Sequence, residues 1–115
     1  MDVRCTLKKN SDFHRLYAKG KSAVTPYMVV YCRRNRGRTN RLGYTVSAKL
    51  GHAVVRNRVR RRLREIYRLN APLLPQGYDI VIVARSRCVG AEYAKMNAAF
   101  VSACRKLGLL AEEGK

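Results

Sequence analysis

Arg56-Asn57-Arg58-Val59-Arg60-Arg61-Arg62-Leu63-Arg64-Glu65-Ile66-Tyr67-Arg68 is the stretch from which the fold can be read. Seven of its thirteen residues are arginine and Glu65 is its only acid. At about 3.6 residues per turn, Val55, Val59, Leu63, Ile66 and Tyr67 collect on one side, a stripe suited to a core. Asn57, Arg61, Arg64 and Arg68 take the opposite side, flanked by Arg58 and Arg60. A solvated helix face ordinarily mixes Lys with Glu, because opposite charges one turn apart support the helix. A face made almost wholly of arginine repels itself unless a polyanion lies against it. The planar guanidinium also matches phosphate bidentately, where lysine offers a point charge. The segment therefore predicts a helix with one face on a core and the other on a nucleic-acid backbone.

On either side of this helix the period changes to two. Leu42-Gly43-Tyr44-Thr45-Val46-Ser47 alternates bulky residues with Gly43, Thr45 and Ser47, a small polar face of the kind that floors a groove. Lys49 extends that face, and Leu50-Gly51-His52 turns into the helix. After Asn70 to Pro75 end the helix, Tyr78-Asp79-Ile80-Val81-Ile82-Val83-Ala84-Arg85 reads as a strand covered on both sides. Strand, helix and strand in this order predict a parallel pair.

Further upstream, Lys21 to Arg33 is strand-like, broken by Pro26 into a piece near Ser22–Val24 and a strand from Tyr27 to Arg33. Alternation puts Tyr27, Val29, Tyr31 and Arg33 on one face and Met28, Val30 and Cys32 on the other. Residues 33–41 carry five arginines around Gly37 and read as a mobile hairpin tip that could touch phosphate. Asn10, Ser11 and Asp12 suit a helix N-terminus, and Gly20 ends that helix after Lys19. Phe13 and Tyr17 share its face. Either could be core, but Leu16 alone could anchor so short a helix, leaving aromatics to stack on unpaired bases. A last helix from Ala91 to Leu107 lines up Tyr93, Met96, Phe100, Cys104 and Leu107 as ordinary core. Residues 1–9 read as a basic arm and residues 109–115 as a loose tail, so the 115 residues predict one RNA-binding domain.

Twenty-five Lys and Arg against seven acids give a net charge of +18, the balance of a polyanion-binding domain whose affinity falls with salt. No apolar run reaches the roughly 18 residues of a membrane span, and no signal-peptide core follows Met1, so a cytoplasmic protein without a membrane partner is expected. Cys5, Cys32, Cys88 and Cys104 form no C-x-x-C pair, which argues against zinc and disulfides; Cys32 and Cys104 read as small core residues. The acids are not paired for two-metal phosphodiester cleavage, and His14 and His52 stand alone. No catalytic residue and no metal site is expected, although Asn57 and Glu65 could help place a hydrated metal beside phosphates.

Four segments in this order resemble the protein subunit of bacterial ribonuclease P over about residues 5–107. They are Leu7–Phe13, Gly43–Ser47, the Gly51–Glu65 stretch with its Arg56-Asn57-Arg58 signature, and Asp79–Arg85. The resemblance implies an α+β fold: an α-β-β-β-α-β-α two-layer sandwich with a four-stranded sheet and a left-handed βαβ crossover, like a domain of certain ribosomal proteins. That handedness is the family's, since general rules favour the right-handed connection. It implies a holoenzyme, ribonuclease P, that removes the 5′ leader of precursor tRNA, with an RNA subunit that catalyses using Mg2+ and a protein inactive alone. Carried to this chain, Arg56, Asn57, Arg58, Arg61 and Arg64 would touch the catalytic RNA, with Arg60 and Arg68 beside them. Phe13, Tyr17 and Tyr31, with Val29, Gly43, Thr45, Ser47 and Lys49, would line a cleft for the leader. The expected partners are the catalytic RNA and precursor tRNA, with no protein partner required.

Overall fold

The structure is a computed structural model, and it describes Leu7 and residues 10–110. Helix α1 (Asn10–Lys19) leads into strands β1 (Lys21–Val24), β2 (Met28–Arg34) and β3 (Arg41–Thr45), then α2 (Ala53–Asn70), β4 (Tyr78–Ala84) and α3 (Tyr93–Lys106). The four strands form one sheet in the order β1-β2-β4-β3. Both the β1–β2 and β2–β4 pairs are antiparallel, while β3 and β4 are parallel with α2 as their crossover.

Period-two burial sorts the sheet into two faces. Met28, Val30 and Cys32 of β2, Leu42 of β3 and Ile80, Ile82 and Ala84 of β4 join Val59, Leu63, Ile66 and Tyr67 of α2 and Met96, Phe100 and Cys104 of α3 in the main core. On the other face a smaller cluster of Leu7, Leu16 and Val81 seats α1, with Phe13, Tyr31 and Val83 against it. Helices α2 and α3 thus make a full layer under the sheet, and α1 crosses only part of the opposite side. Tyr27 precedes β2 and packs on the main core, not beside Val29 and Tyr31 as strict alternation predicts. Thr25 fixes that corner: its hydroxyl donates to the Met28 carbonyl and accepts from the Tyr27 and Met28 amides.

The arginine-rich segment after β2 is not a hairpin tip, because β4 lies between β2 and β3. The chain passes around the end of β4 and is tied to it. Asn35 donates from its backbone to Gly77 (2.9 Å) and from its side chain to Asp79 (3.0 Å). The buried Asn40 donates to Pro75 (2.9 Å) and accepts from the Tyr78 amide (2.9 Å). These bonds tie the segment to the sheet at Asn35 and at Asn40, with residues 36–39 exposed between them.

Two expectations at the termini change. The arm predicted for residues 1–9 lies mostly outside the described residues, but Leu7 is buried and its amide donates to Leu42 (2.7 Å). The tail predicted from residue 109 starts later. Gly108 (φ 80°) and Leu109 close α3 by donating to Arg105 and Cys104, and Leu109 is 4% exposed. That is a Schellman turn, in which glycine supplies the left-handed residue and the next side chain returns to the core. Residues 111–115 lie outside the described part. Cys32, Cys88 and Cys104 are free and buried.

Burial has a pH consequence. It pushes the Cys104 thiol from 9.0 up to about 12, helped by Cys32, and the Tyr44 hydroxyl from 10.0 up to about 12, with Arg64 opposing. Both groups hold their protons more tightly folded than unfolded. Their contribution is therefore full below about pH 9 and is lost as pH rises from there toward 12. Denaturant midpoints between about pH 8 and about pH 10.5 should fall, and less so for Cys104→Ala. Tyr44→Phe also removes a buried hydroxyl with no partner, and at neutral pH should cost nothing or gain about 1 kcal/mol.

Candidate nucleic-acid interface

Register across β2, β4 and β3 sets three rows on the α1 side: Val29–Val83–Thr45, Tyr31–Val81–Gly43 and Arg33–Asp79–Arg41. Leu16 is the anchor expected of it, 1% exposed against Val81. Phe13 and Tyr17, one turn apart, stand with their ring centroids 6.4 Å from each other, Phe13 half-buried and Tyr17 exposed. Phe13 lies over Gly43, where an added Cβ would sit 2.7 Å from the ring, so the glycine makes room for the aromatic and is covered by it. Gly43 is therefore on the predicted face but beneath a ring, not an open floor. Tyr17 is 38% exposed, shares a hydrogen bond with Thr45 (2.8 Å) and meets Tyr31 edge-on at 4.9 Å. Tyr17, Tyr31, Val29 and Thr45 make a half-exposed aromatic surface where the cleft is expected, and exposed Ser47 and Lys49 follow Thr45 in the chain. Ser47 spends its hydroxyl capping the next turn by accepting from the Lys49 amide. Val24 was not singled out from sequence. It is 58% exposed and pairs with Val29, which extends the same face to β1.

On the opposite side of the sheet, α2 has the polarity its periodicity predicts. Val59, Leu63, Ile66 and Tyr67 are buried, while Asn57, Arg58, Arg61, Arg64 and Arg68 are exposed. The arginines are not equivalent. Arg68 is held by Glu65, whose carboxyl that hydrogen bond keeps below its usual range. Arg60 donates to Asn57 (3.0 Å), and Arg62 donates to the Ala91 carbonyl (2.8 Å), which ties α2 to the start of α3. Arg56 has its Nε buried without a partner. Arg58, Arg61 and Arg64 make no hydrogen bond or ion pair within the described residues, so these three present whole guanidinium edges outward. Asn57 and Glu65 are eight residues apart, about 12 Å along the axis, and each is engaged by an arginine, so the structure does not bring them together around a cation.

Tyr93 is a correction to the predicted core of α3. It is 36% exposed and, with Arg58, Arg61, Arg62 and Glu65, lines a shallow groove of ≈ 400 Å³ on the arginine side. Spacing placed it on the Met96–Phe100 face, but it is the first residue of α3, and the helix's buried residues begin only at Met96. Among the described residues no three His, Cys, Asp or Glu side chains come together as a metal site, and no helix is long and apolar enough to cross a membrane.

Comparison with known proteins gives one family. The family model described as Ribonuclease P matches residues 1–108. The ribonuclease P protein component of Alkaliphilus oremlandii is 43% identical over 104 residues, covering 90% of this chain and 91% of that protein. That of Natranaerobius thermophilus is 44% identical over 105 residues, covering 91% of each. Among solved structures, the RNase P protein of Staphylococcus aureus superposes with a TM-score of 0.83 at 31% identity, covering 91% of this chain and 96% of the other. The RNase P protein of Thermotoga maritima gives 0.78 at 31% identity, covering 95% and 98%.

Proposed function

The chain belongs to the ribonuclease P protein family, and from that premise we propose that it is the protein component of a ribonuclease P holoenzyme, holding the catalytic RNA on α2 and the 5′ leader of precursor tRNA in the aromatic cleft. What supports this reading most is where the two surfaces meet. The cleft lies on one side of the sheet and the arginine helix on the other, yet both converge at the C-terminal end of the edge strand β3, where Thr45 leads through Ser47 and Lys49 to α2 at Ala53. RNA on the helix and a single strand in the cleft can therefore abut at one edge of the protein.

Each surface has its own chemistry. Arg58, Arg61 and Arg64, with Arg56, Asn57, Arg60 and Arg68 around them, offer forked donors to phosphates of a folded RNA read by shape. Tyr17 and Tyr31 offer ring faces and edges to unpaired bases, and stacking accepts any base, as leaders of varied sequence require. Glu65 on the helix side is engaged by Arg68 and the Ser47 hydroxyl caps the next turn, and in this reading bond cleavage is left to the RNA subunit. Mg2+ held by RNA phosphates would supply charge neutralisation there. The protein's part is to favour leader-bearing substrate over mature product and, by screening RNA charge, to lower the Mg2+ required.

Reconstitution with the cognate catalytic RNA at low Mg2+ tests this. Wild-type protein should raise cleavage and bind precursor more tightly than mature tRNA. Tyr31→Ala should cut that preference roughly tenfold, the value of one lost stacking contact, with assembly on the catalytic RNA intact. Equal weakening toward precursor and mature tRNA would remove the leader role. Cleavage of precursor by the protein without RNA would overturn the assignment of catalysis.

A further inference from the structure

The segment that passes around the end of β4 builds a second positively charged site. A concavity of ≈ 360 Å³ lies below α1, lined by Arg15, Arg33, Arg34, Arg36, Arg41 and Asp79, with Leu16 and Asn35 completing the wall. Asp79 is the one carboxylate that lines it, Asp12 stands 3.8 Å from Arg41 beside it, and both are engaged by that arginine. Asp79 accepts two hydrogen bonds from Arg41 (2.8 and 2.7 Å) and a third from Asn35 (3.0 Å). Arg34 sits 5.7 Å over the Tyr78 ring. Arg15, Arg33 and Arg36 make no hydrogen bond or ion pair within the described residues. Three arginines without a partner among the described residues thus line one concavity, and their charges repel one another unless an anion joins them.

The wall is also preorganised. The Asn35 side chain accepts from the Gly37 amide (2.6 Å) and donates to Thr39 and Asp79. Arg36 is the only non-glycine residue with positive φ (65°) among those described, a conformation that costs free energy and persists only where neighbours hold it. We propose that this concavity is a phosphate-binding site separate from α2 and from the aromatic cleft, and that it takes clustered phosphates of the leader strand after the strand has crossed α1. This rests on the leader reading above. The placement fits: Arg33 is two residues beyond Tyr31 on the same face, about 7 Å along β2, while Arg15 lies across α1 from Phe13 and Tyr17. Since α2 begins at the Thr45 end, a leader leaving the catalytic RNA there has its 5′ end directed toward Arg33 and Arg41. The phosphates could be internal ones of a long leader or the triphosphate at the 5′ end of a primary transcript.

Calorimetry with inorganic tripolyphosphate and the full chain gives the first test. The double variant Arg33→Gln, Arg36→Gln should lose at least tenfold in affinity, whereas Arg61→Ala with Arg64→Ala should lose little. Arg15→Gln, on a separate element, should repeat the loss in part. Equal losses in the α2 and pocket variants would mean diffuse anion binding and would overturn the site. The second test uses holoenzyme and precursors with leaders of increasing length carrying a 5′-triphosphate or a 5′-hydroxyl. Wild type should gain affinity once the leader can cross α1, and the Arg33, Arg36 variant should not. A gain confined to triphosphate at one length identifies the terminal group; a gain with either end identifies internal phosphates. Wild type and variant falling on one curve would sink the proposal even if the cleft discriminates. If no wild-type leader preference exists while tripolyphosphate still needs Arg33 and Arg36, the cleft reading fails and the anion site stands.

Discussion

Arg61→Ala combined with Arg64→Ala is expected to weaken assembly with the catalytic RNA about 30-fold, from roughly 1 kcal/mol for each lost phosphate contact. Its signature lies in the salt dependence. Each lost phosphate contact should flatten the plot of log affinity against log salt by about 0.7–0.9, so the pair flattens it by about 1.4–1.8. Both side chains are exposed and without a hydrogen bond or ion pair among the described residues, so folding should be unaffected and stability should stay within about 0.5 kcal/mol of wild type. Arg62→Ala is the contrasting variant. Its guanidinium donates to Ala91, so it should reduce stability while leaving the salt slope nearly unchanged. If the Arg61, Arg64 variant keeps wild-type affinity at every salt concentration, α2 does not face the RNA.

Gly20→Ala should have the largest effect on the opposite side of the sheet. A Cβ at Gly20 would lie 2.6 Å from the Leu16 carbonyl oxygen and 2.9 Å from that of Cys32. Both are backbone atoms, so no side-chain rotation relieves the clash, and the junction between α1 and β2 must open. The expected cost is at the upper end of overpacking, about 3 kcal/mol, visible in the denaturant midpoint. Opening that junction lifts Tyr17 from Thr45 and Tyr31, so preference for precursor over mature tRNA should fall as well. Assembly on the catalytic RNA should survive below the melting transition, because α2 packs against the other face. Loss of both functions in parallel at a temperature where the variant is folded would show that the two surfaces are not separable.

Much of this site was legible in the sequence because its signals are local. The division of α2 into a core stripe and an arginine face follows from helical period alone, and the structure places Val59, Leu63, Ile66 and Tyr67 where that period requires. Strand period likewise put Val29 and Tyr31 opposite Met28, Val30 and Cys32. Period could not divide Phe13 from Tyr17, since both occupy one helix face. The difference arises because the Gly43 vacancy lies under one of them and Thr45 beside the other. Tyr93 was misread for a related reason: a stripe tells which residues share a face but not where along its length the core begins.

From the sequence alone come the core stripe and arginine face of α2 and the small polar face of β3, which depend on residue type and on spacing within a few turns or strand steps, and, through the resemblance of four segments, the α+β class and the family. Tertiary structure alone decides that β4 enters between β2 and β3, a pairing of residues such as Cys32 with Ile80 that no local pattern encodes. That insertion turns an expected hairpin tip into a collar tied to the sheet, exhausts Asp79 on Arg41 and Asn35, and leaves Arg15, Arg33 and Arg36 lining one concavity. The physical reason is that side-chain period is set by backbone geometry one residue at a time, whereas strand order is chosen by the burial and hydrogen bonding of the whole sheet at once.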